Sequence, residues 1–235
     1  MRPVLRRLLL AAAVSVLAAC GADKPKPTAL EAVTPQIAGR LVWRAQVDGL
    51  AFPMQPALRG EQLVLAGNDG TVIALEAATG REQWRGSAGA RLAAGVGSDG
   101  RFAAVVSRDN ELVVLERGAF KWKSGLKSRT TAAPLVAGER VFVMGVDRAV
   151  HAFDALDGRR LWTLQRPGEP LTLAQPGVLA AYKDTLLVGQ GPLLVGVDPT
   201  RGTVRFELPM ASPRGTNEVE RLADLVGPPL RLDRK

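Results

Sequence analysis

Apolar residues along this chain fall in short runs separated by turns of glycine, aspartate, asparagine and threonine. Gln62-Leu63-Val64-Leu65-Ala66-Gly67 leads into the turn Asn68-Asp69-Gly70, and Thr71 to Leu75 into Ala77-Ala78-Thr79-Gly80. Arg81 to Trp84 follows. Short apolar runs with such turns between them predict antiparallel strands. The order returns as Phe102 to Ser107, Arg108-Asp109-Asn110 and Glu111 to Leu115. It returns again as Arg140 to Gly145, Asp147-Arg148 and Ala149 to Phe153, and finally as Thr185 to Gly189 and Leu193 to Val197. Each unit also opens on an earlier apolar stretch: Pro56-Ala57-Leu58, Leu92-Ala93-Ala94, Ala133-Pro134-Leu135-Val136 and Gly177-Val178-Leu179.

A comb of aromatic rings sets the period. A glycine, three residues and a ring recur as Gly39 to Trp43, Gly80 to Trp84, Gly118 to Trp122, Gly158 to Trp162 and Gly202 to Phe206. The rings stand 41, 38, 40 and 44 residues apart, and all four tryptophans lie on the comb. A fixed signature at such a period marks a repeat architecture. Four short strands per unit cannot bury both faces of their own sheet. Sheets stacked around an axis bury each other, which predicts a β-propeller. The ring is then expected on an outer strand, packed against the neighbouring blade, with the preceding glycine in a tight turn.

Composition adds limits. The chain has 235 residues, 46% apolar, with 25 glycines and 16 prolines, as suits many short strands and turns. The formal charge is +8, and removal of Arg2, Arg6 and Arg7 with a leader would leave +5. So mild and spread a charge argues for solubility and against a nucleic-acid partner. The one basic cluster, Lys121, Lys123, Lys127 and Arg129, reads as a solvated face. The single cysteine, Cys20, excludes a disulfide framework and a cysteine metal site. The single histidine, His151, sits inside a strand pattern and reads as structural. Gly95-Val96-Gly97-Ser98-Asp99-Gly100 matches a dinucleotide fingerprint, but a strand follows it where a helix is required, so it reads as part of a hairpin. No catalytic residue, cofactor site or metal site is expected.

The N-terminus carries a basic segment, an apolar run from Leu8 to Ala19, and Leu17-Ala18-Ala19-Cys20. This is the pattern of a secretory signal peptide, and its end resembles a bacterial lipobox. The resemblance implies cleavage before Cys20 and acylation of that cysteine, which would anchor the chain to a membrane. Gly21, in place of aspartate, implies sorting to the outer membrane. The Lys-Pro-Lys-Pro stretch after it reads as a tether. The expected domains are residues 1–19, signal peptide; 20–38, lipidated cysteine and tether; 39–210, partial propeller; and 211–235, interblade segment and the start of a fifth blade.

Gly70 to Trp84 resembles the repeat of quinoprotein-like propellers, and Asp147 to Trp162 matches nearly as well. The second unit is shortened around Arg117. Ser212 to Leu225 further resembles a segment of BamB, the propeller lipoprotein family of the outer-membrane protein assembly machinery. Members of that family are eight-bladed, so the resemblance implies about four blades of eight here, with Gly39 to Trp43 as a closing strand. It implies a non-enzymatic scaffold on the periplasmic face of the outer membrane, with no cofactor. Its partners would be the periplasmic domains of the central β-barrel subunit and nascent outer-membrane proteins. The implied contacts are Leu171 and Leu173 in one interblade loop, and Glu218, Arg221 and Asp224 in another. Ala174 stands where the family often carries an arginine. Val219, Leu222 and Leu225 have helical spacing, but the family uses this stretch as a loop. The alternatives are a fragment of a periplasmic quinoprotein dehydrogenase and a truncated, non-functional remnant of the scaffold.

Overall fold

The computed structural model describes residues 39–47, 49, 56–165, 177–212, 214, 216–217 and 222–227. The chain divides into two units, Met1–Arg40 and Leu41–Lys235. Of the first unit, only Gly39 and Arg40 lie among the described residues.

The second unit holds four antiparallel four-stranded sheets, each built from strands consecutive in the chain. Blade one is β1 (Ala57–Arg59), β2 (Gln62–Ala66), β3 (Thr71–Glu76) and β4 (Glu82–Ser87). Blade two is β5 (Gly97–Ser98), β6 (Phe102–Val106), β7 (Glu111–Glu116) and β8 (Ala119–Gly125). Blade three is β9 (Leu135–Ala137), β10 (Arg140–Met144), β11 (Val150–Asp154) and β12 (Arg160–Leu164). Blade four is β13 (Leu179–Tyr182), β14 (Thr185–Gln190), β15 (Leu193–Val197) and β16 (Val204–Pro209). The first strands of successive blades lie beside one another. This is the β-propeller arrangement that the repeat predicts.

The alternation of side chains explains why the blades stack. In β6, Phe102, Ala104 and Val106 face blade three, while Ala103 and Val105 face blade one. In β7, Leu112 and Val114 point one way and Val113 and Leu115 the other. All nine are fully buried. A period of two with both sets apolar is what a sheet between two sheets requires. Blades three and four meet in the same way, through Leu135, Phe142, Val150 and Ala152 against Leu186, Val188, Val195 and Val197.

The comb works across the seams. Gly80, Gly118, Gly158 and Gly202 have φ of 72°, 85°, 77° and 73°, a left-handed conformation that glycine adopts without strain. Each also leaves room for the ring of the preceding repeat. A β-carbon at Gly80, Gly158 or Gly202 would lie 2.5–2.6 Å from an indole carbon of Trp43, Trp122 or Trp162 respectively. The same rings donate their Nε1–H to a backbone carbonyl of the turn. Trp43 reaches Ala77 at 2.9 Å, Trp122 reaches Ala155 at 2.9 Å and Trp162 reaches Pro199 at 3.0 Å. Each acceptor stands three residues before the glycine.

Trp84 is the exception. It packs toward Gly118, where a β-carbon would lie 3.2 Å from its Cε3. Its buried Nε1 has no partner among the described residues. The shortened turn at Arg117 and Gly118 removes the carbonyl that the other repeats supply. Leaving a buried donor unsatisfied costs about 1–3 kcal/mol. Trp84→Phe is therefore expected to be neutral or stabilising by up to about 1 kcal/mol, whereas Trp122→Phe should destabilise by about 1–2 kcal/mol. Urea unfolding of the two variants side by side checks the difference in sign.

Every blade carries a register shift between its third and fourth strands, at Ala74/Leu75, Val114/Leu115, Ala152/Phe153 and Gly196/Val197. The residue immediately before the ring is the one skipped. A bulge re-aims the next side chain, and here it precedes the ring that docks on the neighbour. Phe206 packs over Gly196 of its own blade and stays 40% exposed.

Three strand expectations shift. Leu92-Ala93-Ala94 is not the first strand of blade two. Leu92 makes a lone bridge to Ser107, and the strand is Gly97–Ser98. The apolar run instead buries Leu92 in the seam with blade one. In blade four the first strand starts at Leu179, and Gly177 bridges Val226. Gly39 to Trp43 forms no ladder among the described residues, with Leu41 and Val42 exposed, although Trp43 still docks as the comb requires.

Candidate partner-binding surface

Of the residues singled out by the sequence, Cys20, Leu171, Leu173, Glu218 and Arg221 lie outside the described residues. Asp224 lies within them, in the short segment 222–226. That segment is irregular, so the described part of the stretch with helical spacing is a loop and not a helix.

The loop rests on the seam between blades three and four. The Leu225 N–H donates to the Gly191 carbonyl at 2.9 Å. Val226 pairs with Gly177. Leu225 lies against Gly189, where a β-carbon would come within 3.1 Å of Leu225 Cβ and 2.9 Å of Val178 Cβ. Glycine is needed there because the loop passes directly over the sheet. Asp224 is mostly buried and accepts a hydrogen bond from Arg148 Nη2 at 3.3 Å, across 76 residues of chain. The Arg148 carbonyl in turn accepts from Gln190 Nε2 at 3.1 Å, and Gln190 is itself buried. A shallow cleft beside this cluster is lined by Met144, Val146, Arg148, Gly191, Asp224 and Leu225, among others.

Arg148 was not legible as a site residue from the sequence, where it reads only as part of a turn. The signal that could have found it is its residue type. Its place in the repeat is filled by Gly70 in blade one and Asn110 in blade two.

The remaining candidates are accounted for by structure. His151 is buried in β11, with Nδ1 2.9 Å from Thr163 Oγ1, and burial holds its pKa below the ordinary imidazole value. The basic cluster is partly neutralised within blade two, where Lys121 pairs with Glu116 at 2.9 Å and Lys123 with Glu111 at 2.8 Å. Lys121 and Arg101 together hold the Glu116 carboxyl below its usual range. Gly95 to Gly100 runs through β5 into a hairpin, not into a helix. Among the described residues, no group of three or more histidine, cysteine, aspartate or glutamate side chains is placed to hold a metal ion.

Comparison with known proteins agrees with this architecture. A family model for outer membrane protein assembly factor BamB matches residues 12–90 and 68–234. BamB of Bordetella pertussis is 34% identical over 210 residues, covering 88% of this chain and 54% of the relative. BamB of Burkholderia pseudomallei is 35% identical over 226 residues, covering 93% of this chain and 59% of the relative. The chain thus spans a little over half the length of these curated relatives. The crystal structure of BamB from Moraxella catarrhalis superposes with a TM-score of 0.69, covering 80% of this chain and 57% of that one. Its 22% identity speaks to the fold alone. Since the family model runs through all four blades and on to residue 234, the chain belongs to the outer membrane protein assembly factor BamB family.

Proposed function

We propose that this chain is a non-catalytic scaffold lipoprotein that supports assembly of β-barrel proteins into the outer membrane. The observation that carries the reading is membership of a family whose relatives bear the name outer membrane protein assembly factor. In this reading residues 39–210 are a partial propeller, residues 211–235 an interblade segment and the start of a fifth blade, and acylated Cys20 at the head of a 20–38 tether holds the chain on the periplasmic face. A propeller suits such a role. Its blades are rigid and mutually buried, while the loops between blades are free to carry contact residues.

The partner is the periplasmic part of the central barrel subunit, and nascent outer-membrane proteins are a further candidate. Leu171 and Leu173 supply apolar contact. Glu218, Arg221 and Asp224 form the polar side of the surface, and the hold of Arg148 on Asp224 ties that side to the blade seam. Apolar anchors rimmed by charge are the usual anatomy of a protein–protein contact.

Charge reversal tests the surface. Arg221→Glu together with Asp224→Lys should lower recovery of the barrel subunit in co-purification by about tenfold, since like charges set against a complementary patch oppose binding. Arg221→Glu alone separates direct contact from the loss of the internal pair. Full recovery with both substitutions would sink this contact surface. Retention of the Cys20→Ala chain in outer-membrane fractions would sink the anchor.

A further inference from the structure

Three turns of the propeller are built alike. In Gly67 to Thr71, Ser107 to Glu111 and Gly145 to Ala149, the first N–H donates to the fifth carbonyl and the fourth N–H to the first carbonyl. An aspartate holds the third place each time: Asp69, Asp109 and Asp147. The fourth residue has positive φ: 99° at Gly70, 59° at Asn110 and 62° at Arg148. Glycine and asparagine are the residues that tolerate this conformation, and a long side chain there is strained. Blade three therefore carries an arginine at a place where its own fold favours glycine.

What the arginine does with that place is visible. Its guanidinium crosses to the next blade, lying within 3.6 Å of where a β-carbon on Gly191 would stand, and bonds Asp224 at 3.3 Å. Its carbonyl takes the Gln190 side chain. Both side chains of the ion pair are shielded from water, at 17% and 13% exposure for Arg148 and Asp224. Strain retained at one site, with a specific long-range contact made from it, points to a function for that contact.

We infer that Arg148 is a latch. It holds the 222–226 segment on the seam between blades three and four, and so positions the polar contact surface that the interblade segment presents to the barrel subunit. Asp224 is thereby fixed at that surface, one carboxylate oxygen bonded to Arg148. This rests on the proposed partner, but the latch itself is tested without it.

The experiment uses the full chain. Arg148→Gly removes the latch, and amide exchange at Leu225 should speed up by about tenfold, as for loss of a partly buried ion pair. The swapped pair Arg148→Asp with Asp224→Arg should return protection toward the parent value. Unchanged protection at Leu225 in Arg148→Gly would overturn the latch, as would a swapped pair no better protected than either single variant. Capture of the purified periplasmic domains of the barrel subunit should fall several-fold in Arg148→Gly. Normal capture alongside lost protection would overturn the positioning role. If the parent chain itself captures nothing, the partner reading fails, and the exchange result still decides the latch.

Discussion

Trp122→Ala should destabilise the propeller by about 3–5 kcal/mol, the usual range for removing a large buried aromatic side chain. The ring is 8% exposed and belongs to the cluster that joins blades two and three. It presses on Gly158, lies 6.2 Å from the Phe153 ring and donates to the Ala155 carbonyl. Alanine would leave a cavity against a turn whose backbone is shaped to the indole, and would orphan the carbonyl. In a chain of this size, the loss corresponds to a fall of roughly 10 °C in melting temperature. Phe206→Ala is the internal control. That ring holds the same place in the comb but is 40% exposed and rests on its own blade, so its loss should cost well under half as much. Equal effects at the two positions would mean that the ring stabilises its own strand and that docking across the seam contributes nothing.

The comb was legible because the contact it makes repeats, with a ring in one unit and a glycine in the next at a fixed spacing. The second and third strands of each blade were legible because they are largely apolar on both faces and bounded by marked turns, and the fourth, polar and mostly exposed, because it carries the comb ring. The first strands were harder. Leu92-Ala93-Ala94 has the apolar character of a strand, yet Gly97–Ser98 takes the place, chosen by closeness of backbones and not by hydrophobicity. The site was less legible than the fold. Asp224 stood out only through family resemblance, and nothing local showed that it is turned toward Arg148. A contact spanning 76 residues leaves no periodic trace. Its one local mark is an arginine at a left-handed turn position, and that becomes visible only when the turns of three blades are laid side by side.

Gly97→Ala should be the most damaging of the conservative glycine replacements, destabilising by about 3 kcal/mol or more, at the upper end of overpacking effects. Gly97 pairs with Ala104 in blade two. Its other side faces β9 so closely that a β-carbon would overlap the Pro134 carbonyl oxygen and sit 2.7 Å from the carbonyl carbon. Both obstacles are backbone, so no rotamer change can relieve them, and the first strands of blades two and three would have to part. Gly100, in the same six-residue motif, is the contrast. It has φ of 99° and no atom within 4 Å of an added β-carbon, so Gly100→Ala should cost only the strain of a left-handed alanine, about 1 kcal/mol. A phosphate cradle would explain these glycines by the approach of a ligand. Here the approaching group is the neighbouring blade, and urea midpoints of the two variants decide it. A Gly97→Ala chain as stable as Gly100→Ala would mean that β5 and β9 do not meet as closely as the fold requires.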